Sequence, residues 1–271
     1  MTRPLFGVAV SFGVAIALTA ATAAQQPATT AKPPVPAAAA APQPGSARAN
    51  AQVDLTGYWV ALITEDWRYR MVTPRKGDFS GLSINSEGRK IADTWDPSKE
   101  GSCMAYGAAG VMRMPLRVHI TWENDNTLKL ETDAGQQTRL LRFTTAAAPQ
   151  GERSLQGYST AQWIRGGGGG LFGGGFGAFG GGGGSAKRWA PLKVVTTQLS
   201  PGWLRRNGAP YSENTTLTEY FLRLSDEEDE WLTVSTTVDD PKYLLGSVIT
   251  SSNFKREPDG SKWTPVPCKA S

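Results

Sequence analysis

Along the chain, apolar and polar positions alternate in short runs separated by turn residues. Gly57–Thr64 (GYWVALIT) is a β-rich run. In Arg117–Glu123, Val118, Ile120 and Trp122 fall on one face, with His119 and Thr121 on the other. Asn124-Asp125-Asn126 supplies turn chemistry. Thr127–Asp133 then alternates again, Leu128 and Leu130 against Lys129 and Glu131. A second turn at Asp133-Ala134-Gly135 leads into Gln137–Phe143, which completes a three-strand meander. Further strands are predicted over Ser159–Ile164, Leu192–Leu199, Leu217–Leu224, Trp231–Val238 and Ser247–Phe254. One helix is predicted. Ser86 is its cap, Ile91 and Trp95 share a face at i, i+4, and Asp96-Pro97 stops it, although Gly88 weakens the pattern. Roughly eight to ten short strands with one helix predict a mainly β fold. An up-and-down, lipocalin-like barrel is the first reading and a β-sandwich the second.

The N-terminal part obeys neither period. Arg3, the apolar stretch Leu5–Leu18 and the Ala21-Thr22-Ala23 cleavage pattern read as a Sec-type signal peptide over 1–24. No Cys lies near the cleavage site to carry a lipid. Residues 25–52, rich in Ala, Pro, Gln and Thr, read as a disordered tether. The expectation is an exported, periplasmic or secreted protein with a single domain over 53–271 and no transmembrane segment once the signal is removed. Within that domain, 166–184 holds 14 Gly in 19 residues, with Leu171, Phe172, Phe176 and Phe179 as its apolar members. It lies between two predicted strands, so an expanded hairpin loop is the simpler reading. An apolar flap against a membrane, a partner or a ligand mouth is the other. The acidic run Asp226–Glu230 also lies between strands and reads as a solvated turn; it lacks the spacing of a calcium loop.

Export decides how to read the cysteines. Cys103 and Cys268 are the only two, so an oxidising compartment permits one disulfide between them. Two Cys with one distant His make a poor zinc site, and no metal or other cofactor is expected. The formal net charge of +4 includes Arg3, Lys32 and Arg48 from the leader and tether. Little field remains on the folded part, and nothing points to nucleic acid.

Motifs for catalysis are sparse. Gly175–Gly180 matches G-x-G-x-x-G only because polyglycine matches it, with no strand–helix frame to give it meaning. A Ser-His-Asp arrangement would have to use His119, the single histidine. The neighbouring acids Glu65-Asp66 and Asp239-Asp240 would point to opposite faces of a strand and make no ready dyad. Gly57-Tyr58-Trp59 is the most informative short motif. In a closed barrel, Gly57 lets the chain enter tightly and the Trp59 ring plugs one end, with Lys255 or Arg256 as the cation stacked on it.

Gly57-Tyr58-Trp59 resembles the opening strand of lipocalins and related calycin barrels. A broader resemblance is to a family of uncharacterised exported bacterial proteins. It runs through Asn85–Gly88, Ala92–Pro97, Cys103, the segment ending at Pro115, Gly157-Tyr158-Ser159 with Trp163, Leu192–Thr197, Gly208–Glu213, Leu217–Phe221 and Thr237–Tyr243. It implies a secreted β-rich domain with no established activity. Tyr158 and Tyr211 stand where many members carry His, and many have a short turn in place of 166–184.

A barrel of about eight strands can hold one small ligand. The nine Trp and nine Phe exceed what turns require, so some can line a pocket. The expected function is binding of a small apolar or amphiphilic molecule. Trp122 and Trp163 are the expected inward rings, and His119 and Arg139 the expected polar contacts. A barrel enzyme using carboxylates or His119, and an envelope-associated interaction module, are the alternatives.

Overall fold

The computed structural model describes residues 43–99, 102–148, 150–164, 191–226 and 229–269. The expected signal peptide, most of the expected tether and the glycine tract lie outside the described residues. Thirteen strands follow in order: β1 Gly57–Leu62, β2 Arg117–Asn124, β3 Thr127–Thr132, β4 Ala134–Gly135, β5 Thr138–Arg142, β6 Tyr158–Trp163, β7 Leu192–Thr197, β8 Gly202–Arg205, β9 Ala209–Tyr211, β10 Thr216–Asp226, β11 Asp229–Asp239, β12 Val248–Glu257 and β13 Val266–Pro267. Three short helices accompany them: α1 Trp67–Arg70, α2 Ser86–Ala92 and α3 Ala108–Val111.

Nine of the strands close into a barrel in the order β1-β2-β3-β5-β6-β7-β10-β11-β12, with β12 returning to β1. This is the lipocalin-like barrel the alternation predicts. Strict up-and-down alternation cannot close a ring of odd number. The mismatch is absorbed at one seam, where β5 and β6 pair in parallel through Leu141–Ser159 and Arg142–Thr160. A parallel neighbour needs a crossover instead of a hairpin, and 143–157 supplies it.

The barrel has two unlike ends. At one, which we call the hairpin end, lie the 124–126 turn, the β10–β11 turn and the last pair of the β6–β7 ladder, Trp163–Leu192. The glycine tract therefore joins two paired strands. At the other, the helix end, α2, α3 and the small β8–β9 hairpin gather. Two apolar cores match this division. Trp59, Val118, Ile120, Leu130, Leu192, Val194, Phe221, Leu232 and Phe254 fill the barrel, all fully buried. A space wide enough for a ligand would leave its lining accessible, so the middle of the lumen is packed. Phe79, Ile84, Ala92, Leu199, Tyr211, Leu217 and Leu244 form a second core under the helices.

Several local expectations need correction. Asn85, not Ser86, caps α2: its backbone is extended and its side-chain oxygen accepts the Gly88 N–H at 2.8 Å. Gly88 belongs in the helix because a Cβ there would come within 2.9 Å of the Tyr243 carbonyl oxygen. Trp95 lies beyond the helix and is buried. The tether does not run to residue 52. Gln43 and Ala47 donate backbone hydrogen bonds to Asp125 and Asn126, so the folded part starts before Val53. The Asp133–Gly135 turn also does more than reverse the chain: β4 pairs in parallel with β13. That pairing holds the C-terminal tail, and Cys268 is disulfide-bonded to Cys103 with a Cα–Cα separation of 5.0 Å.

The disulfide spans 165 residues. Cys268→Ser should cost about 2–4 kcal/mol and lower the melting temperature by roughly 5–10 °C, since unfolded-state entropy is the main thing the crosslink removes. A thermal scan followed by circular dichroism measures it, with an unchanged native spectrum expected.

Candidate functional site

Strand parity places the residues singled out from sequence. Trp122 follows Val118 and Ile120 on the inward face of β2, and Trp163 follows Ser159 and Ala161 on β6. Both are half-buried at the hairpin end. Phe143 joins them, with ring centroids 5.7 Å from each. His119 has the opposite parity and lies outside the barrel. Its ring stacks on Tyr58 at 4.0 Å and meets the Trp263 ring edge-on at 5.8 Å. Arg139 points inward but sits in the lumen, paired with Glu219. The four residues therefore do not make one ligand site, and a strand cannot offer both Trp122 and His119 to its interior.

Trp59 and Arg256 do meet. Trp59 is fully buried and its indole N–H donates to the Leu55 carbonyl at 3.0 Å. The Arg256 guanidinium lies 5.6 Å from the ring centroid and bonds Glu230 at 2.7 Å. Gly57 has φ +122°, and a Cβ there would come 3.2 Å from Arg256 Nη2. Arg223 also pairs with Glu230. Glu230, expected in a solvated turn, thus belongs to a charged lid over the Trp59 plug, and its neighbour Asp229 pairs with Lys255.

Toward the helix end the lumen turns polar. The Arg139 and Glu219 side chains are both 0% exposed and form a two-pronged ion pair, with Nη1–Oε1 at 3.1 Å and Nη2 on Oε2. Arg139 Nη2 also reaches Thr196 Oγ1, which lies 2.7 Å from Ser159 Oγ. The Tyr211 hydroxyl faces this layer, and burial raises its pKa. Among the described residues these groups are buried and closed in by the packed lumen, so they read as structure. Asp240 is structural as well. Burial alone would raise its pKa, yet donors from Ser212, Thr215, Lys242 and Tyr243 hold it below the usual carboxylate range.

A cleft of about 460 Å³ lies at the helix end, between the 65–84 segment, α3, β8 and the start of β12. Four arginines line it: Arg70, Arg113, Arg205 and Arg206. Arg70 is buried. Its Nε donates to the Arg113 carbonyl at 2.8 Å and its Nη1 pairs with Glu65. Its Nη2 has no hydrogen-bond partner among the described residues. Burial, and then the neighbouring Arg113, lower its pKa to about 10, so it remains charged at neutral pH. Arg113 is held by Asp66 at 2.7 Å, and Arg205 lies over the Tyr69 ring at 4.6 Å while donating to Ser80. Arg206 donates to the Arg70 carbonyl at 3.1 Å. Leu82, Met114, Leu204 and Val248 supply an apolar floor. The cleft therefore combines cationic and apolar lining, with Asp66 as its acid. Among the described residues no three His, Cys, Asp or Glu side chains come together as a metal site.

None of the four arginines stands out in sequence reading. They come from three segments that only folding brings together. Trp67-Arg68-Tyr69-Arg70 and Arg205-Arg206 are the local signals that could have marked them. Glu219 was legible by parity, an acid between inward Leu217 and Phe221 on β10.

The sequence matches no family model and no curated protein. The fold class is a closed nine-stranded β-barrel with one disulfide, and among the described residues no helix is long and apolar enough to cross a membrane. A disulfide-bonded fold of this kind fits an extracytoplasmic protein.

Two outcomes are expected here. Glu219→Leu strands the buried Arg139 charge and should cost about 3–5 kcal/mol in urea unfolding, whereas the double variant Arg139→Met, Glu219→Leu should recover most of that loss. His119 should titrate below its ordinary 6.5, because burial disfavours the cation more than Glu131 supports it. The unfolded chain then binds the proton more readily than the folded one. This contribution to stability is complete above pH 6.5 and is lost as pH falls through the window below it. As His119 is the single histidine, its ring-proton NMR shift against pH reads the value directly.

Proposed function

We propose that the protein is exported by the signal peptide at 1–24 and binds a small anionic amphiphile in the arginine cleft at the helix end of its barrel. The observation that carries this reading is Arg70, a buried guanidinium with an unpartnered Nη2 in a cleft that three more arginines share. Glu65 already pairs with this guanidinium, and a ligand oxygen that reached Nη2 would satisfy its remaining N–H groups; guanidinium forks match carboxylate and phosphate geometry. The apolar floor of Leu82, Met114, Leu204 and Val248 suits a short alkyl chain attached to such a head group. The ligand class is the amphiphilic one expected from sequence, placed outside the lumen because the lumen is filled by side chains. The enzyme alternative lacks a comparable observation: His119 is taken up by Tyr58 and Trp263, and Asp240 and Glu219 by structural partners.

Octyl phosphate should bind with a Kd in the micromolar range, about −8 kcal/mol, by titration calorimetry, and should raise the melting temperature. Octyl glucoside, with the same chain and no charge, should bind at least ~10-fold more weakly, since each lost tenfold is about 1.4 kcal/mol. Arg205→Gln combined with Arg206→Gln should weaken octyl phosphate by a similar factor while leaving the fold intact. Equal affinity for the two amphiphiles would remove the arginine-cleft reading.

A further inference from the structure

Large apolar side chains stand exposed in an uneven way. Among the described residues six do so: Trp67, Met71, Val72, Leu245, Ile249 and Val266. The first five lie on the chain segments that line the arginine cleft. Trp67 in α1 and Met71 at its C-cap are an exposed i, i+4 pair; Tyr69 and Arg70 of the same helix line the cleft, and Val72 follows. Ile249 lines the cleft itself, and the Leu245 N–H bonds the carbonyl of Ser83, another lining residue, at 2.8 Å. Trp67 is 64%, Leu245 75% and Ile249 70% exposed. Water-exposed groups of this size cost solvation unless something covers them, and clustered they mark an interaction surface.

The charges around them say what covers them. Arg68, Arg70, Arg75, Lys76, Arg113, Arg205 and Arg206 lie on the same segments as the apolar side chains or line the cleft between them. Lys242 belongs with them, and Glu65, Asp66, Asp78, Asp239 and Asp240 oppose them; Glu65, Asp66 and Asp78 pair with Arg70, Arg113 and Arg68, which leaves Arg75, Lys76, Arg205 and Arg206 as the excess. The balance is cationic, so the complementary partner is anionic. Its covering surface must also accept five separate apolar side chains carried on two segments far apart in sequence. An anionic lipid bilayer meets both demands. Indole, thioether and branched side chains enter the headgroup–acyl boundary, and arginine and lysine reach the phosphates around them. The described N-terminal segment bonds Asp125 and Asn126 at the opposite end of the barrel, which leaves this end unobstructed by it.

We propose that the helix end of the barrel docks on an anionic lipid surface through Trp67, Met71, Val72, Leu245 and Ile249. The docking needs neither an occupied cleft nor the ligand proposed above.

Sedimentation with vesicles tests it. The full-length protein should partition onto vesicles of phosphatidylcholine containing about 30% phosphatidylglycerol and at least ~10-fold less onto phosphatidylcholine alone, because each nearby cation adds to attraction by the charged surface. Raising salt to about 0.5 M should weaken binding several-fold through screening. Trp67→Ala with Met71→Ala should reduce partition about tenfold with the melting temperature and octyl phosphate affinity unchanged. Leu245→Ser with Ile249→Ser, on the other side of the cleft, should act in the same direction. Equal binding to both vesicle types, or full binding by both double variants, would overturn the docking surface and point to a protein partner instead. Loss of octyl phosphate binding with vesicle binding intact would sink the cleft reading alone.

Discussion

Closure of the ring at β1 is the interaction on which the rest depends. β1 pairs with β2 on one side and β12 on the other, so the barrel exists only if this short strand can enter at a tight angle. Gly57 permits the entry with φ +122°, and the space its missing Cβ leaves is taken by Arg256. The Arg256 guanidinium then covers Trp59, and Glu230 neutralises it. One backbone freedom, one ring and one cation thus join the first strand of the barrel to the last. Stacking of this kind is worth about 0.5–2 kcal/mol by itself. Its larger effect is to seal the apolar lumen from water at the hairpin end.

Sealing at one end and packing in the middle displace chemistry to the other end. The lumen becomes polar only where Arg139, Glu219, Thr196 and Ser159 satisfy one another, and that layer is dry and fully paired apart from single atoms such as Arg139 Nε. Such a pair adds little net stability but strongly penalises any packing that separates the charges. It accordingly specifies the register of β5 against β10 across the barrel. Beyond it, the helices and the β8–β9 hairpin form a second core, and the arginine cleft lies at the edge of that core. Cationic side chains are kept half-dry there by Tyr69, Leu82 and Leu204, a setting in which a guanidinium binds anions more strongly than in open water.

The two proposals share this end of the molecule and divide it by physics. In the first, the directed N–H groups and confinement of the cleft would select a head group. In the second, the area and diffuse positive charge around it would select a surface. A protein with both could take an amphiphile from the layer on which it rests, but either property can exist without the other.

Alternation along the chain was enough to indicate a mainly β fold, with a barrel ahead of a sandwich, because a period of two with one apolar face leaves a strand little choice about which side it buries. Alternation puts Val118 and Ile120 on one face of β2 and Leu128 and Leu130 on one face of β3, and those faces are buried. Gly57 and Trp59 were legible together with a cation at Lys255 or Arg256, and the fold decided for Arg256, placing Lys255 over Trp231 instead. The two cysteines left one pairing. What the tertiary structure alone decided are features made by segments far apart. Asn85 caps α2 in place of Ser86 because the Tyr243 segment fixes the helix's position, and β4 pairs with β13 although neither is long enough to be seen as a strand. The odd ring forced the parallel β5–β6 seam, which no local pattern announces. Arg139 found Glu219 80 residues away, and the cleft's arginines come from α1, from the loop after α3 and from β8 and its turn. A local pattern encodes which face of an element is apolar; it does not encode which elements meet, and a binding site is made of the meeting.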